Sequence, residues 1–535
     1  MSFETIIGLE IHVELLTDSK IFCACSTDFG AVPNLNTCPV CLGLPGALPV
    51  LNRRVLDHAI AIGLALNCEI NREYRFDRKN YFYPDNPQNY QISQLYSPIG
   101  VNGHVFLNGS ESETETDKTK ITDNGINNPR IIRIHEIHME EDAGKLIHDD
   151  ETGETLIDYN RAGVPLIEIV TEPDMRNADD VIDFLTNLRT MLIYLGVSDC
   201  KMNEGSLRVD VNLSVRPIDR DFELSEDKSS ARAGINDKTE SDIKKGYSNN
   251  QTKTPDNSSY YGDEYGPFGT RTEMKNLNSF KAISRAIANE RDRQIKIIEN
   301  GGEITQETRR WDDEKGVSFT MRSKEDAQDY RYFPDPDLPL IIVSDEKIRE
   351  IENNLPEMPQ ARAERYRRDY QLPDYDIGIL INDKPLAELF EKTVSLGAEP
   401  KQVSNWLMGE TVRLMKEKEL TSEQLTLNPQ GLNDLIELTQ AGTINSTTAK
   451  DVFAVLFNEN IDVKKYVEER GLSMVRDTAQ IETLIKKVIA ENPQSVTDYR
   501  SGKKKAIGFL IGQAMKETRG QADPELVREL LMKLL

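Results

Sequence analysis

Cysteine is scarce in this chain, six in 535 residues, and tryptophan scarcer at two. So few cysteines exclude a disulfide scaffold. No apolar run approaches the roughly 18 residues needed to cross a bilayer, which excludes a membrane-spanning helix. Positive charge is also short: 65 Lys and Arg stand against 90 Asp and Glu, a formal charge of −25. A surface of that sign repels a phosphate backbone at long range and excludes general, non-specific nucleic-acid binding. The first residues lack the basic-then-apolar pattern of a secretory leader, so the expected compartment is a reducing cytoplasm. There is no Walker A loop, kinase glycine loop or G-x-S-x-G elbow. A nucleotide site must therefore be built by other means.

What is present divides along the chain. Residues 7–15 alternate, with Ile7, Leu9, Ile11, Val13 and Leu15 on one face and Gly8, Glu10, His12 and Glu14 on the other. That is a half-buried strand. The pattern recurs at 207–215, and more loosely at 130–139. Residues 164–170 are apolar on both faces apart from Glu168, as in a strand covered on both sides. A helix follows Asn177, carries Val181, Phe184, Leu185, Leu188, Leu192 and Leu195, and stops at Gly196. Mixed strands and helices point to an α+β or α/β sheet domain, with α+β the expected class of the chain. Residues 108–128 and 218–267 are polar, with few spaced apolar positions, and read as exposed insertions. From about 347 the periodicity is helical. The last helix has Asp523 as N-cap and Pro524 in its first turn. The expected organisation is a mixed-sheet domain over 1–346, a helical domain over 347–468 and a small helical tail over 469–535.

Three groups of residues can carry chemistry. Cys23, Cys25, Cys38 and Cys41 form a C-x-C and C-x-x-C set, a spacing that favours one structural Zn²⁺ over four free thiols. Cys68 and Cys200 stand alone and read as ordinary buried residues. Glu10 and His12 share one strand face, while Glu168 sits in an apolar strand where a bare carboxylate costs several kcal/mol. Glu140, Glu141 and Asp142 crowd the end of another strand. One imidazole and several carboxylates suit Mg²⁺ or Mn²⁺. The bland alternative is surface acids plus a Glu168 salt-bridged to Arg161 or Arg208. In the tail, Lys503, Lys504, Lys505, Lys516 and Arg519 face only Glu517, a local excess of +4, which is either a solvated face or a contact for an anionic partner.

Several motifs together resemble the GatB family, one of the components of the aspartyl/glutamyl-tRNA amidotransferase. They are the stretch from Gly8 to Leu15, Arg78 to Asp85, His138 to Lys145, Asn160 to Val170, Glu204 to Arg208, Lys275 to Phe280 and Asp329 to Pro334. The resemblance runs nearly end to end. It implies a heterotrimer with an amidase subunit that releases ammonia from glutamine, and a small third subunit. It also implies that this component uses ATP to phosphorylate the side-chain carboxylate of Glu on tRNA(Gln) or Asp on tRNA(Asn), and that ammonia then displaces phosphate. The sheet domain becomes the cradle holding that site, and the tail becomes the tRNA-binding part, placing the five basic residues on tRNA. By the same resemblance Glu10, His12, Glu141 and Glu168 fall on the Mg²⁺-binding, catalytic positions, with Glu140 and Glu204 as weaker candidates. Lys79 and Arg161, by charge and motif position, can meet phosphate or the acylated tRNA end. The four cysteines match a zinc knob.

Three departures stand out. Residues 218–267 are an addition of about fifty residues, 108–128 are lengthened, and Glu136 occupies a position where a basic residue is expected. The rival functions are a non-catalytic tRNA-binding scaffold and a stand-alone carboxylate ligase. Glu168 argues against the scaffold, since a binder needs no buried carboxylate cluster; the basic tail argues against a small free substrate.

Overall fold

A computed structural model of the chain describes residues 2–107, 130–149, 151–218, 267–323, 330–474, 478–518 and 522–535. The two polar insertions and Arg519 lie outside the described residues, apart from the insertions' margins at Ile218 and Pro267. Two compact units are formed, 1–358 and 359–535.

The first unit begins with β1 (Ser2–Glu14), α1 (Arg53–Ala65), β2 (Glu69–Ile70), β3 (Glu73–Tyr74), β4 (Asp77–Asn80) and β5 (Tyr90–Ser93). It continues with β6 (Gly100–Leu107), β7 (Arg130–Glu141), β8 (Lys145–His148), β9 (Thr155–Asp158) and β10 (Pro165–Thr171). Next come α2 (Ala178–Leu195), β11 (Leu207–Ile218), β12 (Thr272–Lys275), α3 (Phe280–Glu299), β13 (Glu307–Asp312) and β14 (Val317–Ser323). The last elements are β15 (Phe333–Pro334), β16 (Ile341–Ile342) and α4 (Asp345–Asn353).

Nine strands make one sheet in the order β14-β13-β12-β11-β1-β10-β7-β6-β2. All its neighbours are antiparallel except β12 and β13. The alternation predicted for 7–15 places Ile7, Leu9, Ile11 and Val13 on one face, in a core with residues of α1, α2 and α3. Asn177 caps α2 by accepting from the Asp180 N–H, and Gly196 ends it at φ 69°, a left-handed conformation that glycine adopts without strain. The opposite sheet face therefore takes every even-numbered residue of β1, and there the polar residues collect.

The structure is α+β, as expected. The first unit runs past the expected boundary at 346. Helix α4 belongs to it: Ile348 joins the sheet unit's core and Lys347 pairs with Asp57 of α1 at 3.0 Å. The second unit is helical among its described residues and holds two separate apolar clusters. One runs from Tyr366 to Val467 and the other from Ile481 to Leu531. Cys68 and Cys200 are buried core residues, as read.

Candidate functional site

Register decides which side chains meet. On β1, His12 lies opposite Glu168 of β10 and Arg208 of β11, and Glu10 lies opposite Asp210. Glu168 in turn faces His138 of β7, and Leu166 faces Glu140. Paired residues in adjacent strands point to the same side. A polar trough thus crosses five strands, β7, β10, β1, β11 and β12.

At its centre His12, Glu140 and Glu168 bring their ligand atoms within 4.8 Å of one another. His12 Nε2 lies 3.5 Å from Glu168 and 3.7 Å from Glu140, and His138 Nε2 lies 2.9 Å from Glu168. Ser93 donates its hydroxyl to Glu140 at 3.3 Å. Glu140 and Glu168 are 2% and 9% exposed, so the carboxylates are out of bulk water. Burial pushes the pKa of Glu168 upward, but the charges of His12 and His138 and their hydrogen bonds hold it well below the ordinary value. Burial works against a proton on His12, yet Glu168 and Glu140 carry its pKa above the usual imidazole value. Lys79 of β4 rests its ammonium 5.2 Å from the Tyr330 ring centroid. Burial opposes its charge, and the nearby Glu140, Tyr332 and Glu168 outweigh that and raise its pKa. One imidazole and two carboxylates at this spacing fit a hard divalent cation.

Two further groups flank the centre. Glu10, Asp210 and Glu273 also bring oxygens within 4.8 Å. That group already contains its cation, since Lys275 Nζ lies 2.6 Å from Asp210 and 2.8 Å from Glu273, and Asn212 donates to Glu10 at 2.9 Å. On the other side Asp142 accepts Arg208 at 2.6 Å and has Arg161 at 3.6 Å. Burial pushes Asp142 up, but Arg208 and Arg161 bring it below the ordinary value. Arg161 also donates to the carbonyls of Ala143 and Gly144, both at 2.9 Å, so it braces the turn after β7. Beside Glu10 the trough widens into a cavity of about 1110 Å³ bounded by Gly8, Arg133, His135, Asn212 and Phe268 among the described residues.

Glu10 and His12 therefore share one face, as the sequence indicates, and Glu168 lies on that face with them. Glu141 does not, which corrects its expected place beside them. It follows Glu140 in the extended strand β7, and successive side chains point to opposite faces. Glu141 instead accepts from the Ile92 N–H at 2.9 Å and from the Gln88 amide, and burial raises its pKa to about 8. The salt-bridge alternative for Glu168 also falls: Arg161 and Arg208 go to Asp142, and histidines meet Glu168. Glu204 lies in the turn before β11, paired with Lys201 at 3.2 Å and away from the central cluster. Sequence reasoning missed His138, Asp210, Glu273 and Lys275. Alternation marks Asp210 as facing the same way as Arg208, but only strand register reveals its neighbours.

The four cysteines do converge, with all four Sγ atoms within 4.8 Å. Cys38 and Cys41 are 3.9 Å apart at sulfur. A tetrahedron with Zn–S bonds of about 2.3 Å has edges of about 3.8 Å, so the donor set fits zinc. Glu141 and Cys41 line a second cavity of about 210 Å³, together with Lys20, Arg78 and Gln88. In the second unit Lys504, Lys505 and Lys516 are exposed, and Lys503 pairs with Asp498 at 3.0 Å.

The family model described as the GatB/GatE catalytic domain matches residues 5–240 and 254–349. A second, described as the GatB domain, matches 388–535. The catalytic-domain match takes up again at 254, so only 241–253 of the expected addition falls outside it. A protein of Agathobacter rectalis described as the B subunit of an aspartyl/glutamyl-tRNA(Asn/Gln) amidotransferase is 52% identical over 534 residues, spanning all of both chains. Proteins of the same description from Lachnospira eligens and Thermoanaerobacter pseudethanolicus are 52% and 47% identical, covering all of this chain and 99% and 100% of theirs.

Proposed function

Because the chain belongs to the GatB family of amidotransferase B subunits, we propose that it carries out the ATP-dependent amidation of Glu-tRNA(Gln), Asp-tRNA(Asn) or both. The observation that carries this reading is the His12–Glu140–Glu168 cluster, its two carboxylates buried, beside Lys79. A side-chain carboxylate oxygen attacks the γ-phosphorus of ATP, the bond to ADP breaks, and an acyl phosphate forms. Ammonia then bonds to the acyl carbon, the bond to phosphate breaks, and a proton leaves to solvent.

Bringing a carboxylate up to a triphosphate sets two anions against each other, so positioning and opposite charge supply most of the catalysis. Held by His12, Glu140 and Glu168, Mg²⁺ would supply the charge that the phosphoryl oxygens need. Ser93 and His138 fix the orientations of Glu140 and Glu168 before substrate arrives. Lys79 keeps its proton and offers a cation to the transferring group. Glu10, on the wall of the 1110 Å³ cavity, marks where a bulky reactant has room. Lys275 already neutralises much of the Glu10 group, so we assign metal binding to the central cluster and a supporting role to Glu10. Arg161 and Glu204 belong to the rim.

In this reading the cytoplasmic protein works in a heterotrimer, with an amidase subunit delivering ammonia and a small third subunit. The sheet domain is the cradle, and the residues from 469 onward, including Lys503, Lys504, Lys505, Lys516 and Arg519, meet tRNA. The cysteine set holds a structural Zn²⁺. The experiment is an amidation assay of the reconstituted complex on each mischarged tRNA, with and without Mg²⁺. ADP release coupled to amide formation, lost on removing Mg²⁺, is the expected result. Undiminished amidation without any divalent cation would overturn the assignment of the cluster.

A further inference from the structure

Lys20 is wholly buried, at 0% exposure. A buried ammonium carries a desolvation penalty of several kcal/mol unless an anion meets it. No carboxylate among the described residues forms an ion pair with it. Its ammonium instead donates to Cys41 Sγ at 3.6 Å and to the Tyr159 carbonyl at 3.3 Å. A carbonyl offers a dipole and a neutral thiol offers little, whereas an anionic sulfur places negative charge at hydrogen-bond distance from the ammonium. Metal binding makes the sulfur anionic: zinc ligands are thiolates, and four of them around one Zn²⁺ leave a formal charge of −2.

We propose that Lys20 is a counter-ion of the four-cysteine centre, offsetting half of its negative charge through an N–H···S hydrogen bond to Cys41. The inference rests on the cysteines holding zinc. The backbone beside this lysine ties the centre to the trough. Next to it, the Ile21 N–H donates to the Gly163 carbonyl at 3.0 Å, and the Gly163 N–H donates to the Asp142 carbonyl at 2.8 Å. The metal centre is thereby anchored to the turn that feeds β10, the strand bearing Glu168.

Two measurements on the full chain test this. The first compares zinc loss to excess EDTA, followed by a chromophoric chelator, in the wild-type protein, Lys20→Met and Lys20→Arg. At least tenfold faster loss from Lys20→Met, with Lys20→Arg closer to wild type, is expected; wild-type rates in Lys20→Met overturn the proposal. The second needs no variant and stands if Lys20→Met does not fold. Acetylation by an amine-reactive ester, read by mass spectrometry, should spare Lys20 in the zinc-loaded protein and label it once zinc is stripped. Equal labelling in the two states overturns the proposal. A wild-type protein purified under zinc that contains none refutes the metal reading itself, a separate outcome.

Discussion

Substituting the adjacent carboxylates of β7 separately discriminates between the two faces of that strand. Glu140→Gln keeps shape and volume but removes one of the two carboxylate charges of the central cluster. Losing one preorganised electrostatic group of this kind costs about 10²–10³ in turnover, or roughly 3–4 kcal/mol. The Mg²⁺ concentration for half-maximal activity should rise at least about tenfold, by analogy with losing a single ligand-supporting contact. Glu141→Gln should behave otherwise. Burial raises the pKa of its carboxyl to about 8, which favours the uncharged form, and a glutamine oxygen can still accept the Ile92 N–H. Amidation should stay within about threefold of wild type. The assay is single-turnover amidation of mischarged tRNA by the reconstituted complex across a Mg²⁺ titration. If Glu141→Gln is as damaged as Glu140→Gln, or Glu140→Gln keeps the wild-type Mg²⁺ dependence, the parity argument is refuted.

Two other predictions concern residues remote from that cluster. His58 of α1 is buried with Nδ1 unpartnered, and burial, helped by Arg54, lowers its pKa from 6.5 to about 4. Between these values the unfolded chain binds a proton that the folded chain does not, so stability falls as pH drops from about 6.5 toward 4, by up to roughly 3 kcal/mol. Urea midpoints of the sheet unit at pH 7 and 4.5 should therefore converge in His58→Gln, and equal acid losses in the two proteins would reject this. Replacing Lys503, Lys504 and Lys505 together by Ala should weaken tRNA binding and flatten its salt dependence by up to about three counter-ions. Unchanged affinity across a salt series would place tRNA elsewhere.

Most of the sheet was legible. Residues 7–15 and 207–215 alternate cleanly because one face meets the core and the other meets polar groups, and that contrast is written into a single strand. The partner of Glu168 was not legible, because it depends on which strands lie beside β10, an outcome of chain topology. The expected place of Glu141 came from the family resemblance, with no strand parity to check it. The stretch 130–139 alternates only loosely, so its parity could not be carried forward to the carboxylates at its end. A register shift between Val170 and Thr171 adds to that difficulty, since β7 and β10 slip past each other there by a residue. Lys20 gave no sequence signal, for a lone lysine near cysteines is usually solvated.

Strand β7 is a partition wall with a different room on each side. Glu140 looks toward the histidines and Glu141 toward the cysteine knob, with a single peptide bond between them. Inserting or deleting one residue just before this pair would exchange their orientations and disturb both chambers at once. The irregularity at Val170 and Thr171 sits on the other side of Glu168 from this pair, on the wall of the 1110 Å³ cavity, and leaves the orientations of Glu140 and Glu141 as they are.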